Sequence, residues 1–100
     1  MRISYTARTI YDGLFLALDG IYDGTAFQIV MAMKHSSVFG EDVTFTYYLQ
    51  FHAERLLRVH GITTTIPEAG PEEQAATFLA TLLTHGLAFS LPDEPERNIR

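Results

Sequence analysis

Residues 10–24, IYDGLFLALDGIYDG, spell Ile-Tyr-Asp-Gly twice, at 10–13 and again at 21–24. How this stretch is read decides whether the N-terminal quarter of the chain is coiled or extended. An offset of eleven residues, at about 100° per residue, returns to within about 20° on an α-helix, whereas on a strand an odd offset sends the copies to opposite faces. Taken as a helix from Thr6 to Ile21, the segment sorts cleanly. Ala7, Ile10, Tyr11, Leu14, Ala17, Leu18 and Ile21 form one apolar stripe, and Arg8, Asp12 and Asp19 share the opposite side with Phe15. This separation predicts a first helix, with Gly20 and Gly24 as its stop and the following turn. The alternative is a β-hairpin: Asp12-Gly13 is a strong two-residue turn, and RISYTARTIY before it is rich in β-branched residues. Gly13 inside a helix would cost about 1 kcal/mol relative to Ala, which close approach of a neighbouring helix could offset. A calcium site on Asp19 and Asp23 lacks the alternating oxygen ligands and closing Glu of an EF-type loop.

Downstream, Thr25-Ala-Phe-Gln28 is a capping box that opens a short helix to about His35. Few of its positions are polar, so it belongs in the core, with Met filling irregular gaps. Asp42 to His60 is ambiguous. Val43, Phe45, Tyr47, Leu49 and Phe51 alternate with polar residues as a strand would, yet Phe45, Tyr48, Leu49, His52, Ala53, Leu56 and Val59 make one helical stripe. A single long helix accounts for both halves. Arg58-Val-His60-Gly61-Ile62 and Leu83-Thr-His85-Gly86-Leu87 repeat each other, each placing His in the last helical turn, then Gly for the left-handed stop, then an apolar residue that folds back. Pro71, followed by Glu72 and Glu73, begins the last helix. Ile62–Ile66 and Leu87–Leu91 are short enough to pair as a small sheet beside it.

The expected fold is therefore mainly α: a single domain over residues 1–91 with four helices (helix, short helix, long helix, C-terminal helix) and at most a two-stranded β element. An α+β fold with an N-terminal hairpin or meander packed on two helices is the alternative. Residues 92–100 read as a frayed, charged tail. One hundred residues suffice for one core, and 47% of them are hydrophobic, too many for a disordered chain. The chain has no Cys, which removes disulfides, thiolate metal sites and Cys nucleophiles and fits a reducing compartment. No signal-peptide pattern or membrane-length apolar run is present, so a cytoplasmic protein without a membrane partner is expected. Twelve acidic residues against seven basic give a net charge of −5, which disfavours non-specific attraction to nucleic acid.

Local chemistry is sparse. His52-Ala-Glu54 matches half of a zinc-deaminase signature, but the paired cysteines it requires are absent. His52 and His60 lie on one helix face about 12 Å apart along the axis, too far to share a metal. Ser36 and Ser37 follow His35 in sequence without the base-to-nucleophile geometry that activation needs. No phosphate-cradling or zinc-binding spacing occurs, and no cofactor is implied. A non-enzymatic protein is expected.

What remains is a surface. On a helix from Asp42 to His60, Tyr47, Phe51 and Arg55 recur every fourth residue away from the apolar stripe, with Glu54 and Arg58 alongside. Tyr and Arg are enriched where binding energy concentrates. These five residues are the expected contact surface for a protein partner or for a second copy, in a regulatory, adaptor or inhibitor-type module. The order of helix, short helix, long helix and β-prone ITTTI also resembles the arrangement of winged-helix DNA-binding modules. That resemblance would place Thr44, Thr46, Tyr47 and Gln50 at the groove and Arg55 and Arg58 at phosphates. Glu41, Asp42 and the overall acidity weigh against it.

Overall fold

The computed structural model describes residues 2–5, 10–11, 14–37 and 42–91, and for 10, 11, 14 and 15 the backbone alone. The described residues of its N-terminal quarter form short strands and turns, which corrects the helix expected over Thr6–Ile21. Strand β1 (Arg2–Tyr5) is followed by β2 (Ile10–Tyr11), β3 (Leu14–Phe15) and β4 (Gly20–Asp23). β2 and β3 pair antiparallel with Ile10 opposite Phe15 and Tyr11 opposite Leu14; Asp12 and Gly13, the expected turn, lie outside the described residues. Both copies of Ile-Tyr thus fall in strands.

The physical reason is strand pairing, part of it with the far end of the chain. β1 is the centre of a three-stranded antiparallel sheet, flanked by β4 and by β5 (Ala88–Ser90). Pairing with a strand more than eighty residues away leaves no trace in local periodicity. Within the sheet the period is two: Ile3 and Tyr5 are fully buried, and Tyr22 on β4 meets Tyr5 edge to face at 6.4 Å between ring centroids. Ser4 stands between Ile21 and Phe89 on the other face, where both of these large residues are exposed. Ile21 and Leu18, expected in a buried stripe, are therefore at the surface.

Three helices follow among the described residues, rather than four in all. Helix α1 (Ala26–Ser36) opens on the expected capping box: Thr25 Oγ1 accepts from Gln28 N at 3.1 Å, and Gln28 Oε1 accepts from Thr25 N at 2.9 Å. Gly24, at φ +130°, makes room for this, because a Cβ there would collide with the folded-back Gln28 amide. At the other end Ser36 Oγ donates to Met33 O and accepts from Leu18 N, and Tyr22 OH donates to Leu18 O at 2.7 Å, so the turn before β4 is tied to α1.

Helix α2 (Phe45–His60) is the long helix expected, starting later than Asp42, with Thr44 as its cap. The Thr44 hydroxyl accepts from Tyr47 N, and the polar-apolar alternation over 43–51 does not produce a strand. Gly61 ends α2 in the left-handed region at φ 70°, and Ile62 N donates back to Leu56 O at 3.1 Å. Helix α3 (Pro71–Thr84) begins with proline and two acids, and Gly86, φ 73°, repeats the stop.

Thr46 near the start of α2 bonds Gln74 near the start of α3, and His52 meets Phe78 farther along. The two helices therefore run parallel, and residues 61–70 carry the chain back between them. That return segment rests on α3 through Thr64 with Thr81 and through Pro67 O, which accepts from Gln74 Nε2. Consequently the expected pairing of Ile62–Ile66 with Leu87–Leu91 does not form: 62–66 is not a strand, and β5 pairs with β1.

Ile3, Leu16, Ile29, Val30, Met33, Leu49, Leu56, Phe78, Leu79 and Leu82 close the core between sheet and helices. Tyr48 crosses it to donate to Leu16 O at 2.6 Å, fully buried. The architecture is the α+β alternative, a small antiparallel sheet with helices against one face. The tail at 92–100 lies outside the described residues.

Candidate functional site

Helix periodicity decides which α2 side chains are available. Tyr48, Leu49, His52 and Leu56 turn into the core. The opposite side carries the expected contact residues, and the structure brings them together. Tyr47 is 51% exposed and stacks on Phe51, with ring centroids 6.3 Å apart and planes 24° from parallel. The Arg55 guanidinium lies over the Phe51 ring, 5.3 Å from its centroid. Tyr, Phe and Arg at four-residue spacing thus form one continuous stack along the helix. Beside it Glu54 accepts from Arg58 Nη2 at 2.7 Å and stands 3.8 Å from Arg55 Nε.

The members differ in how free they are. Tyr47, Glu54 and Arg58 are exposed, whereas Phe51 is half-buried against the core and Arg55 keeps only 20% of its side chain accessible. Phe51 and Arg55 therefore anchor the stack, and Tyr47 and Arg58 present it. Leu57, 55% exposed, joins this side and was not anticipated. A signal existed: Leu56 and Leu57 are adjacent, so on one helix only one of them can point inward. Val59, expected in the buried stripe, is 37% exposed.

The residues that would read DNA are placed differently. Thr44, Thr46, Tyr47 and Gln50 are all exposed near the start of α2, but the Thr44 hydroxyl serves as the helix cap and Thr46 bonds Gln74. Among the described residues the elements before α1 are strands and 62–66 is not a strand, which departs from the helix-first order behind the winged-helix resemblance.

His52 is an ionisable group placed in the core. It is fully buried, with its ring edge to face with Phe78 at 4.6 Å and with Tyr48 at 5.5 Å. Burial, which penalises the charged imidazolium, pushes its pKa down to about 3. The ring is neutral at physiological pH and serves as core. His60, in the last turn of α2, and His85, at the cap of α3, are exposed as helix-end residues. Among the described residues no three His, Asp or Glu side chains gather as a metal site would require. No described helix is long and apolar enough to cross a membrane. In comparisons with known proteins, the chain matches no family model, no curated protein and no solved structure.

Proposed function

We propose that this protein acts by binding another protein through the outer side of α2, as a regulatory, adaptor or inhibitor-type module of the cytoplasm that performs no chemistry. The observation that carries this reading is the ordered Tyr47-Phe51-Arg55 stack with Tyr47 half in solvent. An aromatic side chain already held in one conformation forfeits little entropy when a partner covers it, and Tyr beside Arg is a combination favoured at binding hot spots. Glu54, Leu57 and Arg58 around it supply a mixed polar and apolar rim.

The test is affinity capture from native lysate, with and without nuclease, using wild type beside Tyr47→Ala combined with Arg58→Ala. Phe51 is left intact because it also packs against the core. The expected result is a protein captured by wild type in both arms and lost from the variant, with the variant's unfolding transition unchanged. Capture that vanishes with nuclease would assign Thr44, Thr46, Gln50 and the two arginines to duplex DNA instead. Capture equal in wild type and variant would remove the face from the account.

A further inference from the structure

We infer that residues 63–66 form an open strand edge, which takes as its neighbour an extended segment of another protein carrying basic residues at one end. This surface is separate from the outer side of α2 and does not depend on it. Between Gly61 and Pro67 the chain runs without a turn or bend. Its burial alternates as on a strand: Ile62 is buried, Thr64 and Ile66 are half-buried, and Thr63 and Thr65 between them are exposed. The inward side is fixed in place. The Thr64 and Thr81 hydroxyls lie 3.0 Å apart, Ile66 packs on the core, and Pro67 O accepts from Gln74 Nε2 at 3.0 Å. Yet among the described residues no backbone hydrogen bond reaches Thr63, Thr64, Thr65 or Ile66.

Folded proteins blunt such edges with charge, proline or a bulge. Nothing of the kind interrupts Ile62–Ile66, where all five residues are β-branched and none is charged. The segment thus offers straight main-chain donors and acceptors that are already ordered, so an added strand gains bonds without the entropy cost of arranging them. Charge selects the neighbour. Glu68 stands just past the edge, and because Gln74 holds Pro67, Glu72 and Glu73 at the start of α3 lie at the same end. All three are exposed, and both ion pairs among the described residues are on α2, so no described cation answers these carboxylates. Glu72 and Glu73 suit the positive start of a helix, but Glu68 precedes α3 and has no such role. The fitting segment is uncharged and β-branched along the edge, with Lys or Arg beside the glutamates; in antiparallel pairing these cations come before the stretch. A net charge of −5 also draws a basic chain from a distance.

The probe is an end-blocked peptide, Lys-Lys-Thr-Val-Thr-Val-Thr, added to the full chain while amide hydrogen exchange is followed by NMR. Exchange should slow about tenfold or more at alternate amides within 63–66, since one edge of a strand carries the N–H groups of every second residue. The same peptide N-methylated throughout its Thr-Val stretch lacks donors and should give no protection. Glu68→Lys, or glutamates in place of the peptide's lysines, should weaken binding about threefold or more. Tyr47→Ala combined with Arg58→Ala should bind the peptide as wild type does. Unchanged exchange at millimolar peptide, equal protection by the N-methylated form, indifference to the charge changes, or loss of binding in the α2 variant would each overturn the inference. So would protection present without peptide, whether it rises with protein concentration, as for a second copy, or disappears on removal of residues 92–100.

Discussion

Acidification should destabilise this protein through His52. The side chain is fully buried between Tyr48 and Phe78, with a folded-state pKa of about 3 against 6.5 for the unfolded chain. Between these values the unfolded state binds a proton that the folded state refuses, so stability is complete above the unfolded pKa and declines as pH falls through the interval. From pH 7 to pH 5 the loss works out at about 2 kcal/mol, a large fraction of the total for a chain of this size. At about 4–8 °C per kcal/mol, the melting temperature should fall by about 8–15 °C. The assay is thermal or urea unfolding at pH 7 and pH 5 for wild type and for His52→Leu, which keeps the volume and removes the titration. The prediction is that the variant's stability changes about 2 kcal/mol less over this interval. Parallel pH dependences in the two proteins would refute the reasoning, as would an NMR titration of the folded protein in which the His52 ring takes up its proton near 6.5.

Other parts of the fold make separate demands. Tyr48→Phe keeps the buried ring but removes the hydroxyl that bonds Leu16 O at 2.6 Å, and denaturant unfolding should show a loss of about 1–3 kcal/mol. Gly24→Ala puts a Cβ at φ +130° against the Gln28 amide, which breaks the capping box; a cost of about 1–2 kcal/mol is expected, with reduced amide protection in the first turn of α1. Gly61→Ala forces a Cβ into the left-handed stop of α2, and although nothing blocks the space, backbone strain alone should cost about 1 kcal/mol in the same assay.

How far the sequence could be read depended on the range of the interactions involved. The Thr25-Gln28 box, the long helix ending at Gly61 and the two His-Gly stops rest on bonds between residues a few positions apart and are legible from spacing, although the long helix starts after Thr44 rather than at Asp42 and His85 caps its helix rather than lying in the last turn. The eleven-residue repeat misled because a helical stripe and a chain of short strands can share one pattern when glycines interrupt it. The strands that replace the helix are held by pairing, β4 on β1 and β2 on β3, and the third strand of the sheet, β5, comes from the far end of the chain, where nothing near Arg2–Tyr5 announces it. The ITTTI segment shows the converse: β-branched residues without a ladder, held on α3 by Thr64 and the Pro67 carbonyl. At the candidate site the stack of Tyr47, Phe51 and Arg55 follows from helical spacing. The half-burial of Phe51 and Arg55 does not, since it depends on what packs beside α2.

The central claim is that the outer side of α2 is spare: ordered by the fold but not needed for it. Its most direct measure is the unfolding free energy of Tyr47→Ala combined with Arg58→Ala, determined by urea titration at pH 7 and at low protein concentration. The account predicts a value within about 0.5 kcal/mol of wild type, as for exposed positions free of structural duty. A loss of about 3 kcal/mol or more would mean that these side chains hold the domain together, and no surface would remain for a partner.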